Sequence, residues 1–186
     1  MIKYEELKLK DLVKYDEISF YYETTKKYDI EKIDKGLSGF NIKLVDVEFF
    51  RKEFDAKTSN WINYFGDLSN WKTYVAYDNN KLIGGCVIAT KTPECNMLEN
   101  REDLAVLWDI RVEKEYQKKG IGQELFNLGL KFCKENGFSQ LKIECQNTNP
   151  VAVNFYHKQG AELCAINEYA YIDAPNETQM LWYINL

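Results

Sequence analysis

The sequence predicts an α/β fold: a mixed, mainly antiparallel sheet with helices on both sides. Three observations carry that prediction. An apolar strand, LAVLWDIRV from Leu104 to Val112, runs through a polar turn with two glycines into an amphipathic helix that ends near Asn136. A second strand at Gln140–Cys145 is followed by Asn149-Pro150, an N-cap with proline at N1, and so by another helix. Alternating apolar segments flank this core, with Lys72–Asp78 and Lys81–Thr90 reading as one antiparallel pair and Ala161–Ile166 and Gln179–Ile184 as another.

Taken in order, residues 1–35 are polar and mixed in charge, and periodicity does not choose between strand and helix for them. Gly36-Leu-Ser-Gly39 marks a turn, and Phe40–Phe50 alternates well enough to be the first clear strand. Between 51 and 71 the aromatics Phe54, Trp61, Tyr64, Phe65 and Trp71 stand among charges and Asn. A hydrophobic cluster anchoring a loop is the preferred reading, with cation–π contact to an amine as the alternative. Asn79-Asn80 suits a tight hairpin turn, and Gly84-Gly85 inside the following strand signals a bulge or a close backbone approach. Residues 91–103 form an acid-rich polar loop. The run Leu104–Val112 is apolar enough to be buried on both faces, apart from Asp109 and Arg111, which share a face. In the next helix Ile121, Leu125, Leu128 and Phe132 fall on one face, and Gly137 sits where a C′ glycine belongs. The helix after Asn149 carries Val151, Ala152, Phe155 and Tyr156, with Phe155 the more natural core residue, and stops near Gly160.

The chain of 186 residues fits a single domain spanning 1–186, with 1–35 as an N-terminal extension or its first elements. Hydrophobic residues at 45% exclude compositional disorder. A net charge of −5 argues against a nucleic-acid-binding face and fits a cationic substrate. Cys86, Cys95, Cys133, Cys145 and Cys164 are odd in number and irregularly spaced, which disfavours a disulfide framework or zinc site. With His157 as the single histidine, a His-based triad or multi-His metal centre is excluded, and no metal is expected. The N-terminus lacks an apolar leader and no run approaches membrane-spanning length, so a cytoplasmic protein without membrane contact is expected. Monomer and homodimer both remain open.

The turn Gln117-Lys118-Lys119-Gly120-Ile121-Gly122 has chemical content of its own. Unpaired backbone N–H groups at a helix start point one way and suit a phosphate or pyrophosphate. Glycine removes the Cβ that would obstruct a close ligand, and two lysines add positive charge. By spacing alone, simple helix–strand packing explains the glycines equally well.

A second segment, Asn149-Pro-Val-Ala-Val-Asn-Phe-Tyr-His-Lys-Gln-Gly160, changes that balance. The succession of strand, Q-x-x-G-x-G, helix, strand and N-x-x-A-x-x-F-Y-x-x-x-G resembles the GNAT superfamily of acetyl-CoA-dependent N-acetyltransferases, over roughly Leu104 to Ala161. The resemblance implies a GNAT-like sheet with splayed central strands and acetyl-CoA as co-substrate. It puts the pyrophosphate on Gln117, Lys118, Lys119, Gly120, Ile121, Gly122 and Gln123. It pairs the pantetheine arm with the edge of Ile110, Arg111 and Val112, and lets Asn149 contact the arm while capping its helix. Tyr156 matches the family's helix tyrosine, which sits near the thioester sulfur as general acid. Two departures stand out: Gln117 where many relatives carry Arg, and Ala161 where an aromatic is common. The segments ECQNTNPVAVNFY, Ala165–Tyr171 and Leu181–Tyr183 look like streptothricin and related antibiotic acetyltransferases, which implies a small polyamine-like acceptor.

Acetyl transfer to an amine requires loss of the ammonium proton, a donor for the leaving thiolate and an N–H for the oxyanion. Asp109 and Glu144, acids in apolar surroundings, are the candidate bases, since burial tunes carboxyls for acid–base work. An ion pair with Arg111 is an equally good role for Asp109. Many superfamily members pass the proton through water and need no single base residue. Three functions follow: transfer to a primary amine of a small cationic molecule, transfer to a protein or peptide amine, and CoA binding without turnover.

Overall fold

The computed structural model describes residues 1–186. In chain order its elements are β1 (Ile2–Glu6), β2 (Tyr21–Lys32), β3 (Phe40–Glu53), α1 (Thr58–Phe65), β4 (Lys72–Asp78), β5 (Lys81–Ala89), β6 (Leu104–Val112), α2 (Ile121–Glu135), β7 (Gln140–Gln146), α3 (Pro150–Lys158), β8 (Glu162–Asn167) and β9 (Gln179–Asn185). The fold is mixed α/β with a mainly antiparallel sheet, as the alternating segments predict. The chain forms two compact units, one of residues 1–20, 54–143 and 185–186, the other of 21–53 and 144–184. No helix is long and apolar enough to cross a membrane.

In the first unit the strand order is β1-β4-β5-β6-β7. β4 and β5 pair across Asn79 and Asn80, whose φ values of 46° and 71° are those of a type I′ hairpin turn. The period of two along β5 sorts its side chains. Gly84, Cys86 and Ile88 face α2, where a Cβ added at Gly129 would lie 2.9 Å from Ile88 Cδ1, so glycine sets the closeness of helix to strand. Gly85, Val87 and Ala89 face the other way, toward a core of Leu7, Leu12, Tyr15, Ile18, Trp61 and Trp71. Of the aromatics of 54–71, Trp61, Phe65 and Trp71 thus join a hydrophobic cluster, as the plainer reading holds, whereas Tyr64 is exposed and Phe54 stacks on Phe20. Phe65 and Trp108 meet edge-on at 5.0 Å, and Trp71 donates its indole N–H to Thr92.

The buried face of α2 differs from expectation. Ile121, Leu125, Phe126, Gly129 and Cys133 are buried, while Leu128 and Phe132 are half-buried at the margin. The ridge i, i+4, i+8, i+12 lies against the sheet because Gly129 and Cys133 are small enough to let the helix approach, which places the bulkier pair at its edge.

The β5–β6 register slips between Val87 and Ile88, leaving Trp108 as an extra residue on β6. Such a bulge bends the strand and inverts its alternation. Without it Asp109 and Arg111 would face opposite to Val106; with it they share the face that Val106 presents to the aromatic core. The parallel pairing of β6 with β7 covers Leu104–Leu107 against Gln140–Ile143 and extends no further.

In the second unit the distal half of β7 is followed in hydrogen-bonding order by β9 and β8, and β2 and β3 form a separate two-stranded ribbon. Residues 21–32, which periodicity left undecided, are strand because Phe40–Glu53 pairs with them across the Gly36–Gly39 turn. Asn147 ties this unit together: it exchanges backbone and side-chain hydrogen bonds with Tyr28 on β2 and with Thr178 before β9, at 2.8–2.9 Å. In α3, Val153 and Tyr156 are buried and Phe155 is half-buried, so Tyr156 rather than Phe155 takes the deeper position. The helix phase is fixed by its start at Pro150, and that phase turns Val153 and Tyr156, three residues apart, inward.

Candidate active site

In the first unit the glycine turn has the backbone that anion binding needs. Gln117 is extended, Lys118 lies at φ 59° and Gly120 at φ 83°, immediately before α2. Left-handed residues at a helix start turn successive N–H groups to one side. A Cβ built at Gly120 would meet nothing within 4 Å, so the glycine answers to its positive φ and to whatever occupies the open space, not to packing. Ile121 is buried and anchors the turn from beneath. Lys119 lies 5.1 Å from the Tyr116 ring centroid, and Tyr116 in turn donates to Asp78. Gln117 donates its side-chain amide to the Val112 carbonyl at 2.9 Å and so ties the turn to the end of β6. Gln123 lies in the first turn of α2 and is exposed. The geometry fits a pyrophosphate held by N–H groups and lysines. Along β6, Asp109–Val112 pair with β5 on one side and have no β7 partner on the other, which leaves the Ile110–Val112 edge for an extended ligand.

Asp109 lies in the same unit and is wholly committed. Arg111 Nε donates to its Oδ1 at 2.9 Å, Arg111 NH2 to Oδ2, and the Tyr15 hydroxyl to Oδ1 at 2.9 Å. Both side chains of the ion pair are nearly sealed, 5% exposed for Arg111 and 3% for Asp109. The guanidinium also donates to the carbonyls of Ile18 and Ala56 and lies between the rings of Tyr15 and Phe20, at 4.7 and 4.3 Å. Burial opposes its charge, but the hydrogen bonds and charge of Asp109 outweigh that and raise its pKa. Tyr15 fits because Gly85 has no side chain: a Cβ there would fall 2.2 Å from Tyr15 Cε2. Burial foremost, then the Asp109 charge, holds the Tyr15 hydroxyl protonated far above its usual range. The sequence signalled a close approach at Gly84-Gly85 but offered nothing to identify Tyr15 as the approaching group.

In the second unit the Asn149 side chain accepts from the Ala152 N–H at 3.1 Å, so its capping role is present. Tyr156 is 7% exposed, with Phe155 edge-on at 5.6 Å. Glu144 is half-buried and its Oε1 accepts from the Tyr171 hydroxyl. Tyr171 stands in the loop between β8 and β9, and burial first, then the Glu144 charge, pushes its pKa far above the normal phenol value. The second unit also holds a buried hydroxyl pair, Tyr22 with Thr148 at 2.9 Å, with Tyr22 pushed up to about 12 chiefly by burial. Of the three proposed catalytic residues, Asp109 therefore sits with Arg111, whereas Glu144 and Tyr156 belong to the other unit together with Asn149.

Residues 40–161 match the model of the acetyltransferase (GNAT) family. The chain is 36% identical over 86 residues to streptothricin acetyltransferase A of Bacillus subtilis (strain 168), a match that covers 45% of this chain and 50% of that protein, so it spans only half of that relative's length. Over 159 residues it is 26% identical to a streptothricin acetyltransferase of Escherichia coli, covering 84% of this chain and 80% of the relative. The fold is also that of a Bacillus anthracis str. Ames protein solved in complex with acetyl coenzyme A, at a TM-score of 0.78 and 23% identity with the whole of both chains covered. With the strand, glycine turn and capped helix all inside the matched span, the chain belongs to the acetyltransferase (GNAT) family, enzymes whose acyl donor is acetyl-CoA.

Proposed function

We propose that this enzyme transfers the acetyl group of acetyl-CoA to a primary amine of a small cationic molecule, streptothricin or a related antibiotic, by direct attack on the thioester. The observation that carries this reading is the match to a streptothricin acetyltransferase over 84% of the chain, well beyond the glycine turn and α3. Acetyl-CoA supplies an acetyl group already activated as a thioester. The turn residues Gln117 to Gln123 would hold its pyrophosphate through N–H groups and lysine charge, and the free edge at Ile110, Arg111 and Val112 its pantetheine arm. Asn149 would add a polar contact while capping α3.

The chain's own chemistry is then proton handling. Tyr156 has the hydroxyl that protonates the departing thiolate. Of the two carboxylates, Glu144 is the better base. Its Oε2 carries no hydrogen bond or ion pair, whereas each oxygen of Asp109 is taken. An acceptor ammonium gives one proton to Oε2, the neutral nitrogen attacks the acetyl carbonyl, and as the C–S bond breaks the second proton shed by the nitrogen replaces the one Tyr156 gives the thiolate. Asp109 instead fixes the bulge of β6 and, through it, the direction of the Ile110–Val112 edge.

The test is release of free thiol from acetyl-CoA with streptothricin, aminoglycosides, polyamines, amino acids and lysine peptides. Saturable turnover with streptothricin, reduced about 100-fold or more in Tyr156→Phe and Glu144→Gln, is expected. Turnover confined to lysine peptides would move the acceptor to protein amines, and acetyl-CoA binding with no turnover would mark a binding module.

A further inference from the structure

The Glu144 carboxylate does not stand alone. Glu144 and Gln146 lie two residues apart on β7, so their side chains leave the same face of the strand. The Tyr171 hydroxyl donates to Glu144 Oε1. A phenol has one proton to give, and here the carboxylate accepts it as a hydrogen bond. The loop that carries Tyr171 is itself held: Ala174 N–H donates to the Tyr171 carbonyl at 3.2 Å, and Thr178 is bound on both backbone groups' sides by Asn147.

We propose that Tyr171 is a positioning residue for catalysis, pinning Glu144 Oε1 so that Oε2 is presented to the acceptor ammonium. This rests on the reading of Glu144 as the base. Tyr171 keeps its own proton throughout; the proton that moves goes from the acceptor nitrogen to Oε2. Burial and the adjacent carboxylate keep the phenol a donor at any working pH. The pair is half-buried, which suits a carboxylate that must stay in contact with incoming substrate.

A double-mutant cycle separates this role from simple loop packing. The variants are Tyr171→Phe, Glu144→Gln and the two combined, assayed for kcat and KM with the best acceptor of the amine panel. Tyr171→Phe should lower kcat about 10- to 100-fold, the range for a hydrogen bond to a charged group, and leave the KM for acetyl-CoA unchanged. Added to Glu144→Gln it should cost nothing further. Losses that multiply, or a Tyr171→Phe enzyme with wild-type kcat, overturn the proposal. The contact itself is read without turnover from the Cζ resonance of Tyr171 in tyrosine-labelled protein, assigned by its loss in Tyr171→Phe. Its displacement in Glu144→Gln supports the contact, and an unmoved resonance overturns the proposal whatever the acceptor. A panel in which no amine reacts while the resonance moves would count against the functional reading and not against the pairing.

Discussion

Asp109 and Glu144 are both acids set in apolar strands, yet the fold uses them in opposite ways. Asp109 is buried and accepts from Arg111 through both oxygens and from Tyr15 through one. Glu144 is half-buried, accepts one hydrogen bond, and keeps an oxygen unengaged. A buried carboxylate that has been fully paired has been bought for structure: releasing it leaves Arg111 charged and sealed from water. A carboxylate held at one oxygen is oriented and still reactive. Burial alone therefore does not separate the two acids; the count of committed oxygens does.

The largest expected effect breaks the first of these regions. Arg111→Ala strands Asp109 without its partner and removes the donors to Ile18 and Ala56, so unfolding by urea should show a loss of about 3–5 kcal/mol. Glu144→Gln should leave stability within about 1 kcal/mol while kcat falls. The converse pattern, an Asp109→Asn enzyme of wild-type stability without turnover, would transfer the base role to Asp109 and sink the contrast. Gly85→Ala attacks the same region from the neighbouring strand. Its new methyl falls on the Tyr15 ring, and a cost of about 1–3 kcal/mol is expected from overpacking. Tyr15→Leu should relieve the clash in a Gly85→Ala background but lose the donor to Asp109; a Gly85→Ala protein of unchanged urea midpoint would show that Tyr15 does not lie on β5. In the second region, Asn149→Ala removes the cap of α3, and a loss of about 1 kcal/mol is expected by the same measurement.

What the sequence could announce was whatever local backbone chemistry decides. The run Leu104–Val112, the Asn79-Asn80 turn, the Asn149-Pro150 helix start and the C′ glycine Gly137, at φ 76°, all stand where their residue types put them. The features that distinguish Asp109 from Glu144 depend on residues far along the chain. Tyr15 reaches Asp109 across 94 positions and Tyr171 reaches Glu144 across 27. The bulge at Trp108 that chooses the face of Asp109 has no glycine to advertise it. The apolar pattern of α2 counted Leu128 and Phe132 as its face because it scores side-chain bulk, whereas the helix lies against the sheet on Gly129 and Cys133. Polarity puts Phe155 ahead of Tyr156 as the core residue, and helix phase reverses that order. Residues 21–32 are strand only because β3 lies beside them.

The smallest effect sharpens the contrast through the thiols beside the two acids. Cys86 is sealed next to Asp109, and burial foremost, then that charge, lifts its thiol well above the ordinary range. Burial likewise pushes Cys145, next in sequence to Glu144, up to about 12, and Cys133 up to about 12. In the unfolded chain these thiols return to their ordinary value near 9.0. Between those limits the native protein keeps protons that the unfolded chain releases, so the unfolded state binds fewer, and stability falls as pH rises. Below the unfolded value the contribution is complete and flat. Urea midpoints should therefore hold level up to about pH 8.5 and drop through about pH 11. The same burial governs access. Cys164 is exposed, whereas Cys86, Cys95, Cys133 and Cys145 are buried, so a thiol reagent should modify Cys164 at once and the others only on unfolding. Cys145 is the informative member, because it adjoins the half-open region. If it reacts in the native enzyme as fast as Cys164, the strand under Glu144 opens far more readily than the strand under Asp109, and the carboxylate that was read as oriented is in fact loose.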